Sequence, residues 1–502
     1  MAYEIYIHVP FCLRRCGYCD FNTYTAVDLG GGASRGNYAR MAIREMELAH
    51  EWQLAHGIVE PAVSTVFFGG GTPTILPAHD LVAMLDAVRR IWGVEAGAEI
   101  TTEANPDTVD AAYIRELADG GFTRVSFGMQ SAVPHVLATL DRTHTPANVE
   151  AGVRAANAAG MRSSVDLIYG APGESLDDWR TSVSTAIDLG VNHISAYALT
   201  VEPHTKMGRQ IAAGTLPRPD DDDEAAKYEI ADDLFTQAGL DWYEVSNWAR
   251  PGYESRHNLG YWRNVDWAGI GPGAHSHYGA AADAVSSVVP EDGAISPIVP
   301  AGEVFAPVVL NDLASPVVLS ERASSVVLSE RQRAEGPHAE SPRAAHPHGL
   351  RAWDIAHPRL WGTAIGEGRM PWADSESITP GENVEELIML GLRIREGLDL
   401  SRVNRAIDAA NVAAGLNGED APQSDATDGT DGSATGNRRG RADGRRPLRT
   451  ISPSDIIPME DEGLVTLVDT GESGASVRVV PTLRGRLLND AIIERLFDFV
   501  GV

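Results

Sequence analysis

Six short runs of β-branched and aromatic residues alternate with helix-like segments over residues 1–210, and this alternation narrows the possible folds more than any other feature of the chain. The expected strands are 5–9, 65–68, 99–103, 124–129, 164–168 and 193–200, most of them leading into Gly, Pro or Asn. Between them lie helical patterns. Leu81, Met84, Leu85, Val88, Ile91 and Trp92, for example, form an apolar stripe of period 3.6. Repeated βα units imply a parallel sheet, doubly wound or closed into a barrel. Six units are too few for an eight-unit barrel. The expected fold class is therefore α/β, a partial (β/α)6 barrel with its chemistry at the carboxyl ends of the strands.

The expected domains are a barrel with its extension over 1–279, an insertion at 280–349, a linker at 411–447, and a module formed by 350–410 and 448–502. The insertion is rich in Ala, Ser, Pro and Val and repeats Val-Val-Leu-Ser-Glu-Arg at 317–322 and 326–331, too few and too short for a solenoid. The linker has Gly, Asp, Ser and Thr followed by five Arg between 438 and 446, and reads as a solvated connector rather than a nucleic-acid patch. In the last part, 384–392 reads as a helix, 463–468 and 476–480 as a hairpin, and 484–497 as a closing helix. Together these suggest a small winged-helix-like module. Asp220–Asp223 opens a helix, where acids suit the N-terminal dipole, better than it holds a metal.

Charge excludes some functions. With 70 acidic and 41 basic side chains, a net charge of −29 argues against sequence-blind binding to nucleic acid or anionic membranes. No apolar run approaches the ~20 residues of a spanning helix, so no membrane insertion is expected. The N-terminus enters a strand-like segment with no leader pattern, and three cysteines cannot build a disulfide framework. Both readings fit a reducing cytoplasm.

All three cysteines follow the first strand: Cys12-Leu-Arg-Arg-Cys16-Gly-Tyr-Cys19. Structural zinc wants four ligands, and there is no second cysteine pair, although His8 stands just before the loop. Three thiolates suit a 4Fe-4S cluster with one iron left open, which implies chemistry rather than electron storage alone. Arg14 and Arg15 resist burial and disfavour three unligated core cysteines. Polar or glycine residues recur at the later strand ends: Gly69-Gly70-Gly71-Thr72-Pro73, Glu103 in Glu-Ala-Asn-Pro, Gln130 and Ser131, and Asp166 inside an apolar strand. The glycines favour close approach of a ligand to the backbone. Asp166 needs a partner, with Arg142 or a ligand the candidates.

The cysteine loop CxxxCxxC after strand one resembles that of the radical S-adenosylmethionine (SAM) superfamily. Tyr-Ile-His-Val-Pro-Phe-Cys, GGGTP, Glu-Ala-Asn-Pro, Gly-Met-Gln-Ser and Asp-Leu-Ile-Tyr-Gly-Ala-Pro further resemble the oxygen-independent coproporphyrinogen III oxidase family. The resemblance implies a 4Fe-4S cluster on Cys12, Cys16 and Cys19, with the open iron chelated by SAM. It implies SAM contacts at Tyr6, Tyr18, Gly70, Gly71, Thr72, Glu103, Gln130, Arg142, Asp166 and Ala198. An electron donor for the cluster follows, and dimerisation on cluster loading stays open.

Two branches of that family differ at two places. The oxidase continues CxxxCxxCxC and usually carries an N-terminal extension; here Phe21 replaces the further cysteine and few residues precede the strand. The haem chaperone branch is marked by HNxxYW, matched by His257, Asn258, Tyr261 and Trp262. A neutral imidazole can ligate haem iron and flat rings can pack on a porphyrin, so these four are expected haem contacts. Haem and haem-acceptor proteins are the implied partners, with the porphyrinogen oxidase as the alternative. Gly269-Ile-Gly-Pro-Gly-Ala274 is not a dinucleotide fingerprint, because Pro272 interrupts it and no helix follows. His275, just after it, receives no role from sequence.

Overall fold

The computed structural model describes residues 2–279, 349–416, 446–469 and 477–502. The repeat at 317–331 and the Arg cluster at 438–446, except Arg446, lie outside them. All six expected strands form: β1 Tyr3–Val9, β2 Val63–Gly70, β3 Val94–Ala104, β4 Arg124–Gln130, β5 Arg162–Tyr169 and β6 His193–Ala198. They pair in parallel in sequence order, each followed by a helix. The fold is the α/β partial barrel that the alternation implies.

The sheet is wider than sequence suggests. Six further strands bring it to twelve: β7 Asp241–Glu244, β8 Asn247–Ala249, β9 Asp266–Ile270, β10 His275–Tyr278, β11 Gly349–Asp354 and β12 Trp372–Ile378. Strand β9 lies parallel to β1 on its far side, and β10, β11 and β12 continue from it as an antiparallel ribbon. Strands β8 and β7 close the other edge beside β6.

Alternation along each strand sorts the two faces. In β1, Tyr3, Ile5, Ile7 and Val9 are fully buried toward the surrounding helices. Each such apolar side chain contributes roughly 1.5–3 kcal/mol of burial. The register aligns the other set across the barrel's inner face: Glu4 with Thr65, Tyr6 with Phe67, Glu103 with Ser126, and Asp166 with Ser195. That inner face is polar and buried, an arrangement tolerable only if its groups find partners.

Helices Pro380–Gly391, Leu400–Ala413, Pro453–Asp461 and Asn489–Val500 pack with a three-stranded sheet into a second core, centred on Ile388, Ile407, Ile456 and Ile492. The expected hairpin forms as β14 Val465–Asp469 and β15 Val477–Pro481, joined by β13 Leu398–Asp399. Two boundaries are corrected. Residues 411–413 belong to the helix Leu400–Ala413 rather than to the expected linker, and the Asn411 side chain pairs with the backbone of Leu448 in both directions. The single closing helix is two, Leu483–Leu487 and Asn489–Val500, broken at Leu488. Arg486, in the shorter one, ties this module to the barrel by a bidentate pair with Asp232 at 2.9 and 2.8 Å. The Asp run behaves as a helix start: Asp220 caps the helix Asp221–Gln237, and Asp223 pairs with the buried Lys227.

Candidate functional site

The cysteine loop leaves β1 at the carboxyl-end mouth and is pinned by its backbone. Tyr24 N–H donates to Pro10 O at 2.7 Å, Cys12 N–H donates to Tyr24 O at 2.9 Å, and Arg35 holds Cys12 O at 2.8 Å. The Asn22 side-chain amide donates to Pro272 O and Ala356 O, both at 2.8 Å, binding the loop to the ribbon. All three thiols are unpaired and partly exposed.

Two donors point at the sulfurs: Thr72 Oγ1 lies 3.6 Å from Cys12 Sγ, and Arg142 Nη1 lies 3.4 Å from Cys16 Sγ. Burial and the Cys16 thiol push the Cys19 thiol up to about 12, and burial raises Cys12 as well. A cationic centre bound between them is what would turn these thiols into thiolates. Among the described residues no three His, Cys, Asp or Glu side chains crowd closely enough to share one ion. Three thiols on one loop are the protein donor set that a 4Fe-4S cluster with one open iron takes. His8 is occupied besides: its ring nitrogens meet Tyr6 Oη at 3.1 Å and Asn22 O at 3.0 Å.

Of the expected SAM contacts, Thr72 and Arg142 touch the thiols, and the others lie on the strands and turns of the same barrel. Gly71 is small for a structural reason: a Cβ there would meet the carbonyl oxygens of Phe11 and Val9 at 2.7 and 2.8 Å. Gly70 has φ +100°, and a Cβ would strike the His8 ring. Glu103 is pushed up to about 8 by burial and by Asp166, partly offset by the Gly70 N–H. Gln130 adopts φ +60° at a bulge between β4 and β5 that skips Met129; it pairs with Leu167, and its side-chain amide lies beside Gly128. Tyr18 packs on the apolar patch of Val136, Ile168, Leu199 and Met207, and Ala198 ends β6.

The expected partner of Asp166 is corrected. Arg142 is committed to Cys16 Sγ and to Gly128 O at 3.0 Å. Asp166 instead accepts from Ser126 Oγ at 3.0 Å and Ser195 Oγ at 2.8 Å. Sequence reasoning passed over these serines, yet both fall on the inward parity, two residues from Gly128 and Tyr197, where a polar side chain must serve the interior.

The HNxxYW residues, His257, Asn258, Tyr261 and Trp262, sit together on one short element. They form the helix Arg256–Trp262, which closes the amino-end floor of the barrel. His257 is 1% exposed; Thr65 Oγ1 meets its Nδ1 at 2.7 Å and Tyr261 Oη meets its Nε2 at 3.0 Å. Its ring stacks on Phe67 with centroids 5.1 Å apart, and burial lowers it to about 3, so it is neutral. Trp262 donates to Glu244 at 2.7 Å, and Asn258 also bonds that carboxylate. The reason is burial: four amphipathic side chains on two turns of helix plug a polar opening and satisfy one another. His257 offers no free nitrogen in this arrangement, and Trp262 is buried.

A family model described as the radical SAM superfamily matches residues 6–186. The chain is 49% identical over 278 residues to the heme chaperone HemW of Mycobacterium tuberculosis, spanning 55% of this chain and 70% of that one. It is 38% identical over 273 residues to heme chaperone HemW of Escherichia coli, spanning 54% and 69%. The solved structure of coproporphyrinogen III oxidase HemN from Escherichia coli aligns over 99% of this chain and 90% of that chain, with TM-score 0.63 and 17% identity. At that identity the likeness shows the fold alone. The sequence match across seven-tenths of a HemW chain, on the barrel and thiol loop described above, means that this chain belongs to the heme chaperone HemW family of the radical SAM superfamily.

Proposed function

We propose that this chain is a radical-SAM-type haem carrier: it holds a 4Fe-4S cluster on Cys12, Cys16 and Cys19, binds SAM across the strand ends, and passes haem to acceptor proteins. The observation that carries the reading is the mouth itself, three unpaired thiols with Thr72 and Arg142 aimed at two of them. When bound, such a cluster supplies an electron and an open iron that the amino and carboxylate groups of SAM can chelate. The chain's residues do the positioning. Arg142 neutralises charge at Cys16, Tyr18 gives an aromatic wall, and Glu103 offers a carboxyl whose proton a cationic ligand would displace. Gln130, at the bulge of β4, and Asp166, braced by two serines, complete the polar rim. An electron donor is a required partner, a cluster-linked homodimer is compatible with the exposed loop, and a reducing cytoplasm suits three free thiols. No described helix is long and apolar enough to cross a membrane.

The test is anaerobic reconstitution followed by two assays on one preparation: haem uptake with transfer to an apo-haemoprotein, and conversion of coproporphyrinogen III. Uptake and transfer without porphyrinogen consumption are expected. Robust decarboxylation without haem binding would overturn the carrier reading in favour of the oxidase.

A further inference from the structure

Resting on that carrier reading, we infer that His275, at the start of β10, is the residue that ligates haem iron, with Trp353 of β11 as the apolar wall beside it. Haem ligation by a histidine needs a neutral imidazole with a free nitrogen that a flat, largely apolar molecule can reach. His8 and His257 have both ring nitrogens engaged. His277 is 3% exposed, stacked on Trp267 and 3.3 Å from Asp266. His357 is exposed, and its Nδ1 accepts from Arg359 N–H at the start of a helix.

His275 is tied by none of these hydrogen bonds or ion pairs. Its ring has no hydrogen-bond partner among the described residues, it is partly exposed, and it stacks on Trp353 at 6.1 Å and 27°. Burial and the charge of Arg351 hold it down to about 4, so it is neutral at physiological pH. Arg351 is itself tied to Glu376 and Glu386, which fixes that charge in place.

The location is also consistent. Pairing places Glu4 level with Trp267, and Tyr6 level with Gly269, on the inner face. Trp267 is level with His277, and His275 with Trp353, so His275 belongs to that face, near His8 and the mouth. The turn just before it receives the Asn22 amide from the cysteine loop. Residues 280–348 join Gly279 to Gly349 at the other end of this ribbon, leaving the His275 end clear of the insertion's attachment points. A haem held here would lie beside the cluster loop, on strands that sequence patterning did not reveal.

The experiment titrates haem into the full chain and into the variants H275A, H275G, H257A and H357A. Readouts are the Soret band and the electron paramagnetic resonance signature of the axial ligand, with circular dichroism confirming the fold. The wild type should show a histidine-ligated spectrum. H275A should lose that signature and bind about tenfold more weakly or worse, while H257A and H357A keep it. In H275G, added imidazole should restore the wild-type spectrum, a rescue that a merely structural role would not give. A histidine signature that survives in H275A, or that disappears in H257A or H357A instead, overturns the assignment and leaves the carrier reading standing. A wild-type chain that takes up no haem overturns both.

Discussion

Replacing Arg124 by Met tests whether one buried ion pair holds the barrel floor shut. Arg124 and Glu99 have side chains only 3% and 4% exposed, with Nη1 and Oε2 3.1 Å apart. Arg124 also donates to Tyr253 O at 3.1 Å, while Glu99 accepts from the backbone N–H of Arg256 at 3.0 Å and of His257 at 3.4 Å. Those last two contacts make Glu99 the anchor of the HNxxYW helix. Methionine preserves most of the arginine stem, so the loss is electrostatic. Stranding one member of a buried pair costs about 3–5 kcal/mol. The backbone donors left to Glu99 put the expected cost at the low end, about 3 kcal/mol, or roughly two decades in the folding equilibrium. Urea unfolding followed by tryptophan fluorescence reads this directly, with an unchanged slope showing that the exposed surface is the same. The double variant R124M/E99Q strands no charge and should recover part of the loss. An R124M cost below about 1 kcal/mol, or a double variant no more stable than R124M, would refute the argument.

Three further outcomes are expected. In C16A the cluster should fail to assemble, with iron and sulfide contents after reconstitution far below wild type; a normal complement would remove Cys16 from the ligand set. E103Q should weaken SAM binding by about tenfold in calorimetry, the worth of one hydrogen bond to a charged group, and unchanged affinity would place SAM elsewhere. The buried carboxyl pair Glu45–Asp354 sets a pH response. Burial pushes Glu45 up to about 7 from an ordinary 4.5, and burial with Glu45 raises Asp354 further. The folded chain therefore keeps protons that the unfolded chain releases, so stability present near pH 4.5 is lost as pH rises through about 7. Melting temperatures from pH 5 to 8 should show that fall in the wild type and a shallower one in D354N. Equal slopes would discount the pair.

Much of the barrel is legible because its strands carry two signals at once. In Arg124–Gln130, Val125, Phe127 and Met129 mark the buried outer face, while Arg124, Ser126 and Gly128 mark the inner one. The widening strands carry neither. Asp241–Glu244 and Asn247–Ala249 are too short to show a period, and Trp372–Ile378 is a polar edge strand with Asp374 and Glu376 exposed, charges that keep an open edge from pairing with another chain. The thiol loop was readable because tight spacing along the chain forces nearness in space. The partner of Asp166 was not, because a choice between Arg142 and two serines on other strands is made by register and by the rival pull of Cys16 Sγ on the arginine.

On the proposal that His275 takes the haem, the family signature HNxxYW does not mark the residue that touches the ligand. The helix Arg256–Trp262 runs into β9 through Asn264, whose φ of +57° makes the turn. Strand β9 pairs with β1, and its far end leads through Gly271–Ala274 to His275. The helix that carries His257 is thus joined through β9 to the turn that leads to His275. Removing His257 leaves Thr65 Oγ1 with Glu4 alone, deprives the Tyr261 hydroxyl of its partner and loses the Phe67 stack. At about 1–3 kcal/mol for one unsatisfied group, H257A should be destabilised by about 2 kcal/mol. Any weakening of haem binding in H257A should therefore track lost stability and leave the ligand spectrum unchanged. Weaker haem binding at full wild-type stability would mean that His257 touches the cargo, and that the floor opens.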